Sequence, residues 1–104
     1  MMIMLPEWVT RNMVDTTIAD VTQKKDLPAL EKLRFESYHE GLSVQTFYVG
    51  PYSEEGPTIA SMHAHVEAEG FSLRGKHHEI YLNDARKTAP EKLKTVIRQP
   101  IKKT

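Results

Sequence analysis

Between residues 42 and 101 the spacing of apolar residues changes period twice, and glycine or proline marks each change. Leu42–Val49 alternates as a strand, and Gly50-Pro51-Tyr52 closes it. Ile59, Met62, His63 and Val66 then recur at helical spacing. Ser53 is placed to cap that helix, and Pro57 is tolerated in its first turn, where a missing N–H costs little. Gly70 suits a left-handed stop, with Phe71 folding back on the last turn. Gly75 punctuates, and Lys76–Asn83 returns to strand alternation. A loop over Asp84–Pro90 leads to a last strand, Leu93–Ile101, whose Pro100 suggests a sheet edge. The order strand, helix, strand, strand predicts an antiparallel sheet with one helix on one face, an α+β arrangement. The other face must meet water, another subunit or a ligand.

The first residues read differently. Met1–Leu5 is strand material with no turn or cap before it, stopped by Pro6. Thr10 can cap a helix in which Met13, Val14, Thr17, Ile18 and Val21 share a face. Lys24 and Lys25 suit its C-terminal end, and Asp26-Leu27-Pro28 stops it. Ala29–Leu33 and Arg34–Tyr38 follow, and His39-Glu40-Gly41 reads as a turn into the first strand. Residues 1–28 are thus expected to be a strand end and a linking helix, and residues 29–104 the strand–helix–strand–strand module.

Composition narrows the function. Fourteen Lys and Arg balance fourteen Asp and Glu over 104 residues, so no net field attracts nucleic acid. Nine of those bases fall in residues 70–104, but they are spread over loops and strand faces without aromatic residues to stack bases. Residues 51–69 hold four acids and no Lys or Arg. With no Cys there is no disulfide framework, thiol nucleophile or Cys–zinc site. The apolar run Met1–Leu5 is too short to span a bilayer, and no basic stretch or cleavage site marks a signal peptide. A cytoplasmic domain with neither membrane nor nucleic-acid partner is expected.

Lys76–Asn83 carries the chemical interest. His78, Ile80 and Leu82 point one way, and His77, Glu79 and Tyr81 the other. The apolar character of Ile80 and Leu82 predicts that they pack under the helix. Glu79 would then stand on the far face, flanked by Tyr81 and His77. A buried carboxylate is costly without a partner, so a covered Glu79 needs a partner or a function. In Leu42–Val49, Val44, Thr46 and Tyr48 share one face and Gln45, Phe47 and Val49 the other; alternation does not say which faces the helix.

Other chemistries find little support. His63 and His65 lie roughly 200° apart around a helix, and His77 and His78 point to opposite faces, so no metal site forms. There is no GxSxG nucleophile elbow and no glycine-rich phosphate loop, and no cofactor is implied. A paired-carboxylate site needs a second acid opposite Glu79, which Glu36 or Glu40 supplies only loosely.

Three stretches carry a family resemblance: Phe47-Tyr48-Val49-Gly50-Pro51-Tyr52-Ser53-Glu54-Glu55-Gly56-Pro57-Thr58, Gly75–Arg86 with its E-I-Y-L-x-D-x-R pattern, and Pro90–Ile101 with P-E-K-L-x-T-x-I-R-x-P. Together they resemble the GyrI-like small-molecule-binding domain, also the effector-binding domain of AraC-type and multidrug-sensing regulators. The first 41 residues are more similar to the stand-alone branch. The resemblance implies two strand–helix–strand–strand modules with a ligand cleft between them, of which this chain resembles the C-terminal one. It implies bulky aromatic, often cationic ligands in an aromatic-walled pocket, with Glu79 meeting the positive charge; Tyr81, Tyr48, Trp8 and His77 are the candidate residues around it, of which Tyr81 and His77 share its strand face. Because some stand-alone members are hydrolases of cyclopropane-bearing compounds, Glu79 is also the candidate catalytic residue. The family's founding member inhibits gyrase, which adds a protein-interaction reading. One module suggests a homodimer or a second module as the partner that completes the cleft.

Overall fold

A computed structural model describes residues 1–104, which fall into two units, Met1–Tyr38 and His39–Thr104. In the first, α1 (Arg11–Lys24) begins where Thr10, in extended conformation, accepts a 3.2 Å hydrogen bond from Met13 N. That is the cap the sequence predicts. Val14, Ile18 and Val21 form its half-buried side, while Met13 and Thr17 are exposed. Arg11 donates to Phe35 O at 3.0 Å and lies over the Phe35 ring. Met1–Leu5, expected as a strand, pairs with no strand of this chain.

The second unit contains β1 (Ser43–Val49), α2 (Gly56–Ala68), β2 (Phe71–Leu73), β3 (His78–Tyr81) and β4 (Lys94–Lys103). All pairings are antiparallel, and β4 is central: β1 lies along one side, β2 and β3 along the other. No helix is long and apolar enough to cross a membrane.

Strand β2 and the central position of β4 correct the sequence reading. Leu73 faces Ile101 and His78 faces Arg98, so the edge takes five steps where β4 takes three. This two-residue bulge leaves His77 exposed and off the strand. It also explains Pro100, which sits mid-sheet rather than at an edge. In an antiparallel ladder one residue's N and C=O point to the same neighbour. Pro100 O accepts from Arg74 N at 2.9 Å, so the N–H that proline lacks would have pointed into the bulge. Gln99, only 2% exposed, fills the gap by donating from Nε2 to Gly75 O at 3.1 Å and to Pro100 O at 2.8 Å.

The buried apolar residues are Met62 and Val66 of α2 with Leu93, Ile97 and Ile101. Met62 and Val66 belong to the predicted helical stripe. Thr95 and Gln99 are buried in the same alternating set of β4, which therefore faces α2. Strand register carries this face outward to both sides. Val44, Thr46 and Tyr48 pair with Gln99, Ile97 and Thr95, and Val44 and Thr46 line a groove with Pro57, Thr58, Ser61 and Met62. On the other side Glu79 pairs with Ile97 and Tyr81 with Thr95. Residues opposite each other in a ladder project to the same face. Glu79 and Tyr81 therefore stand on the helix side of the sheet, contrary to the expectation from Ile80 and Leu82. Ile80 pairs with Val96 on the helix-free face, and Leu82 is half exposed.

Candidate functional site

The carboxyl of Glu79 and the phenol of Tyr81 meet because every second residue of a strand projects to the same face. Tyr81 Oη donates to Glu79 Oε2 at 2.9 Å. The chain between β1 and α2 builds the opposite wall. Residues Tyr52–Glu54 form a 3₁₀ turn, so Ser53 does not cap α2, which starts at Gly56 with Pro57 in its first turn. The Tyr52 ring lies 5.2 Å from that of Tyr81, tilted by 54°. Glu55 occupies the N-cap position without a side-chain capping bond, which leaves its carboxyl to face Glu79.

Tyr48 adds a third phenol. It folds back over Gly50 to donate to Pro51 O at 2.8 Å. A Cβ at Gly50 would stand 2.8 Å from that phenolic oxygen, and Gly50 has φ +146°, so glycine alone fits. Between Tyr48 and Tyr81 in the ladder lies Thr95, fully buried, whose Oγ1 has no hydrogen-bond partner.

The electrostatics are one-sided. Burial first, then a hydrogen bond shared with Glu79 and that residue's charge, push Glu55 up to about 7. Glu55 Oε2 is buried and has no donor while both groups are ionised; a proton on one of them supplies it. The hydrogen bond to Glu79 raises the Tyr81 phenol, with burial and the charges of Glu79, Tyr52 and Glu55 adding to it. Tyr48 is raised by burial, then by Glu54 and Glu55. Every charge that perturbs these three groups is acidic or phenolic.

A stability consequence follows. Because folding raises Glu55 from 4.5 to about 7, the folded state binds more protons than the unfolded chain between those values. Its contribution is fully present below pH 4.5 and is lost as pH rises to about 7. Glu55→Gln is expected to gain stability over the wild type across that window, by at most about 3 kcal/mol. Urea unfolding of both proteins at pH 4.5, 6 and 8 checks this. A difference that stays flat with pH would contradict the buried pair.

The structure brings together Glu79, Tyr81 and Tyr48 from the sequence-predicted set. His77 lies exposed in the bulge, and Trp8, 72% exposed, belongs to the first unit. The second carboxylate is Glu55 rather than Glu36 or Glu40. Glu36 pairs with Arg34 in the first unit at 3.3 Å. Glu40 is 3.2 Å from His78 and 3.6 Å from Arg98, residues of the helix-free face. Arg98 also donates to Gln45 at 2.9 and 2.6 Å, so that cluster is charge-compensated. Glu55 and Tyr52 were missed as site residues, although the base-free acidic stretch after Gly50-Pro51 was a signal for them. No three His, Asp or Glu side chains are arranged to hold a metal ion.

The model of the GyrI-like small molecule binding domain matches residues 6–102. The chain belongs to this family. Three solved structures from Listeria innocua are similar over 94% of the GyrI-like chain. One, described as a hydrolase, is 36% identical with a TM-score of 0.81; an uncharacterized conserved protein is 38% identical with a TM-score of 0.84. A further hydrolase is 37% identical with a TM-score of 0.79. The chain spans about half the length of these structures, between 50% and 52%. No curated protein matches it.

Proposed function

We propose that this GyrI-like domain binds bulky aromatic cations through the Glu55–Glu79 carboxyl pair and the phenols of Tyr48, Tyr52 and Tyr81. One observation carries the reading: two adjacent carboxyls, one with a buried oxygen lacking a donor, lie among tyrosines, and no basic group is among the charges that act on Glu55, Tyr48 or Tyr81. A cation supplies the missing charge, and tyrosine faces add attraction of about 0.5–2 kcal/mol. The family description supports a small-molecule ligand. Tyr81 is 59% exposed, so the cluster is open on one side, and a second module or a second copy of the chain completes the pocket.

Calorimetric titration with tetraphenylphosphonium and with neutral tetraphenylmethane-like isosteres tests this. The cation is expected to bind at least tenfold more tightly than the neutral compound. Equal affinities would refute charge recognition. Sedimentation of the same samples with and without ligand reports whether two copies complete the site.

A second reading is hydrolytic. Two of the similar structures are described as hydrolases. Glu55, raised to about 7, has the poise of a general acid or base at neutral pH. In this reading Glu79 or Glu55 protonates a leaving group or orients water against a strained, electrophilic ring. Turnover lost in Glu79→Gln with ligand affinity retained would favour hydrolysis over binding alone.

A further inference from the structure

The proposed cation site holds two carboxyls with unequal support. Glu79 receives the Tyr81 hydroxyl at 2.9 Å. Glu55 receives no donor at its buried Oε2, and it spends nothing on capping α2. Like charges in contact are eased by one proton shared between them. A second, independent observation lies in the floor of the same cluster. Thr95 is fully buried, its side chain set between Tyr48 and Tyr81 by strand register, with an unpartnered hydroxyl. A buried hydroxyl of this kind has lone pairs to offer a ligand N–H.

We infer that Glu55 sets the charge of the ligand this site accepts: the Glu55–Glu79 pair keeps one proton against a monocation and releases it to solvent when a dication binds. The inference rests on the reading of the cluster as a cation site. The charge balance is simple. With its proton the pair carries one negative charge and matches one positive charge. Without it the pair carries two. The proton leaves Glu55 for bulk buffer, and no covalent bond of the ligand changes.

Groups from several elements surround the pair. Tyr52 and Glu54 come from the 3₁₀ turn, Tyr48 from β1, Tyr81 from β3, and the non-titrating Thr95 from β4. From α2 the nearest titratable group along the apolar stripe is His63, roughly 12 Å along the axis from Glu55 by helical rise. Burial and the neighbouring charge place the Glu55 transition at about 7, inside an accessible range.

The probes are a biphenyl bis-amidine and the corresponding mono-amidine, which keep their charge throughout pH 6–8. Between those values the ionised fraction of a group titrating near 7 rises from about one tenth to about nine tenths. The bis-amidine is therefore expected to bind about tenfold more tightly at pH 8 than at pH 6, and the mono-amidine to change by less than about threefold. At pH 6, calorimetry in buffers of different ionisation enthalpy is expected to show close to one proton released per bis-amidine. Glu55→Gln is expected to flatten the bis-amidine slope and abolish proton release. Equal slopes for the two probes, or a slope retained in Glu55→Gln, would overturn the inference while leaving cation binding intact. Binding of neither probe would remove the cation reading and this inference with it. Should Glu55→Gln not fold, the two wild-type slopes decide.

Discussion

Replacing Ile97 with alanine is expected to remove about 2–5 kcal/mol of stability, the usual cost of emptying a fully buried aliphatic site. Ile97 has no exposed surface and lies mid-way along the central strand, opposite Thr46 on one side and Glu79 on the other. Only five hydrophobic side chains make up the buried core, so few neighbours can collapse into the space. Against a total stability of about 5–15 kcal/mol for a domain, such a loss brings the folded state close to its limit. Urea unfolding followed by circular dichroism is expected to show a midpoint lowered by one to several molar, taking a denaturant slope of about 1–3 kcal/mol/M. Ile97→Val, which removes one methyl, should cost about 0.5–1.5 kcal/mol. Leu82→Ala is the internal control, because Leu82 is 52% exposed and off the helix-covered face. If Leu82→Ala cost as much as Ile97→Ala, the assignment of sheet faces would be reversed, and the site with it.

That control addresses the point where the sequence misled. Alternation correctly sorted Glu79 with Tyr81 and Ile80 with Leu82, since side-chain period on a strand is two. Choosing the buried set is a different problem. Ile80 and Leu82 are the more apolar pair, so a reading of β3 alone puts them under the helix. The deciding information is non-local: β4 buries Thr95, Ile97 and Gln99, and the ladder carries Tyr81 and Glu79 onto that face. Two polar residues in the buried set of β4 hid the central position of that strand. Pro100 hid it further, because nothing local announces a bulge that makes its missing N–H harmless. The helix stripe of Met62 and Val66, the Thr10 cap and the strand Ser43–Val49 were legible because each rests on local periodicity or capping. Glu55 was not, since a contact across 24 residues with Glu79 leaves no periodic trace.

The same geometry makes Glu79→Gln the substitution with the largest expected effect on ligand binding. Glutamine keeps the size of the side chain and an oxygen able to accept from Tyr81, so the tilted ring contact of Tyr81 with Tyr52 has no steric reason to change. What disappears is one of two negative charges in a half-buried, base-free cluster. Removing one member of a desolvated charge pair costs on the order of 2–5 kcal/mol, or roughly thirtyfold to several thousandfold in affinity for an aromatic dication, which needs both charges. A neutral ligand of the same shape should be affected by less than about threefold. Glu55 also responds, because the charge that helps raise it is gone and its transition should fall below about 7. At pH 6 the lowered Glu55 then ionises in place of Glu79, whereas at pH 8 the wild type holds two charges and the variant one, so the loss in affinity is expected to be larger at pH 8 than at pH 6. Calorimetry at both values separates the outcomes. A pH-dependent loss identifies a coupled carboxyl pair as the cation's partner. A loss of equal size at both values means that Glu79 acts alone, and no loss at either removes it from recognition.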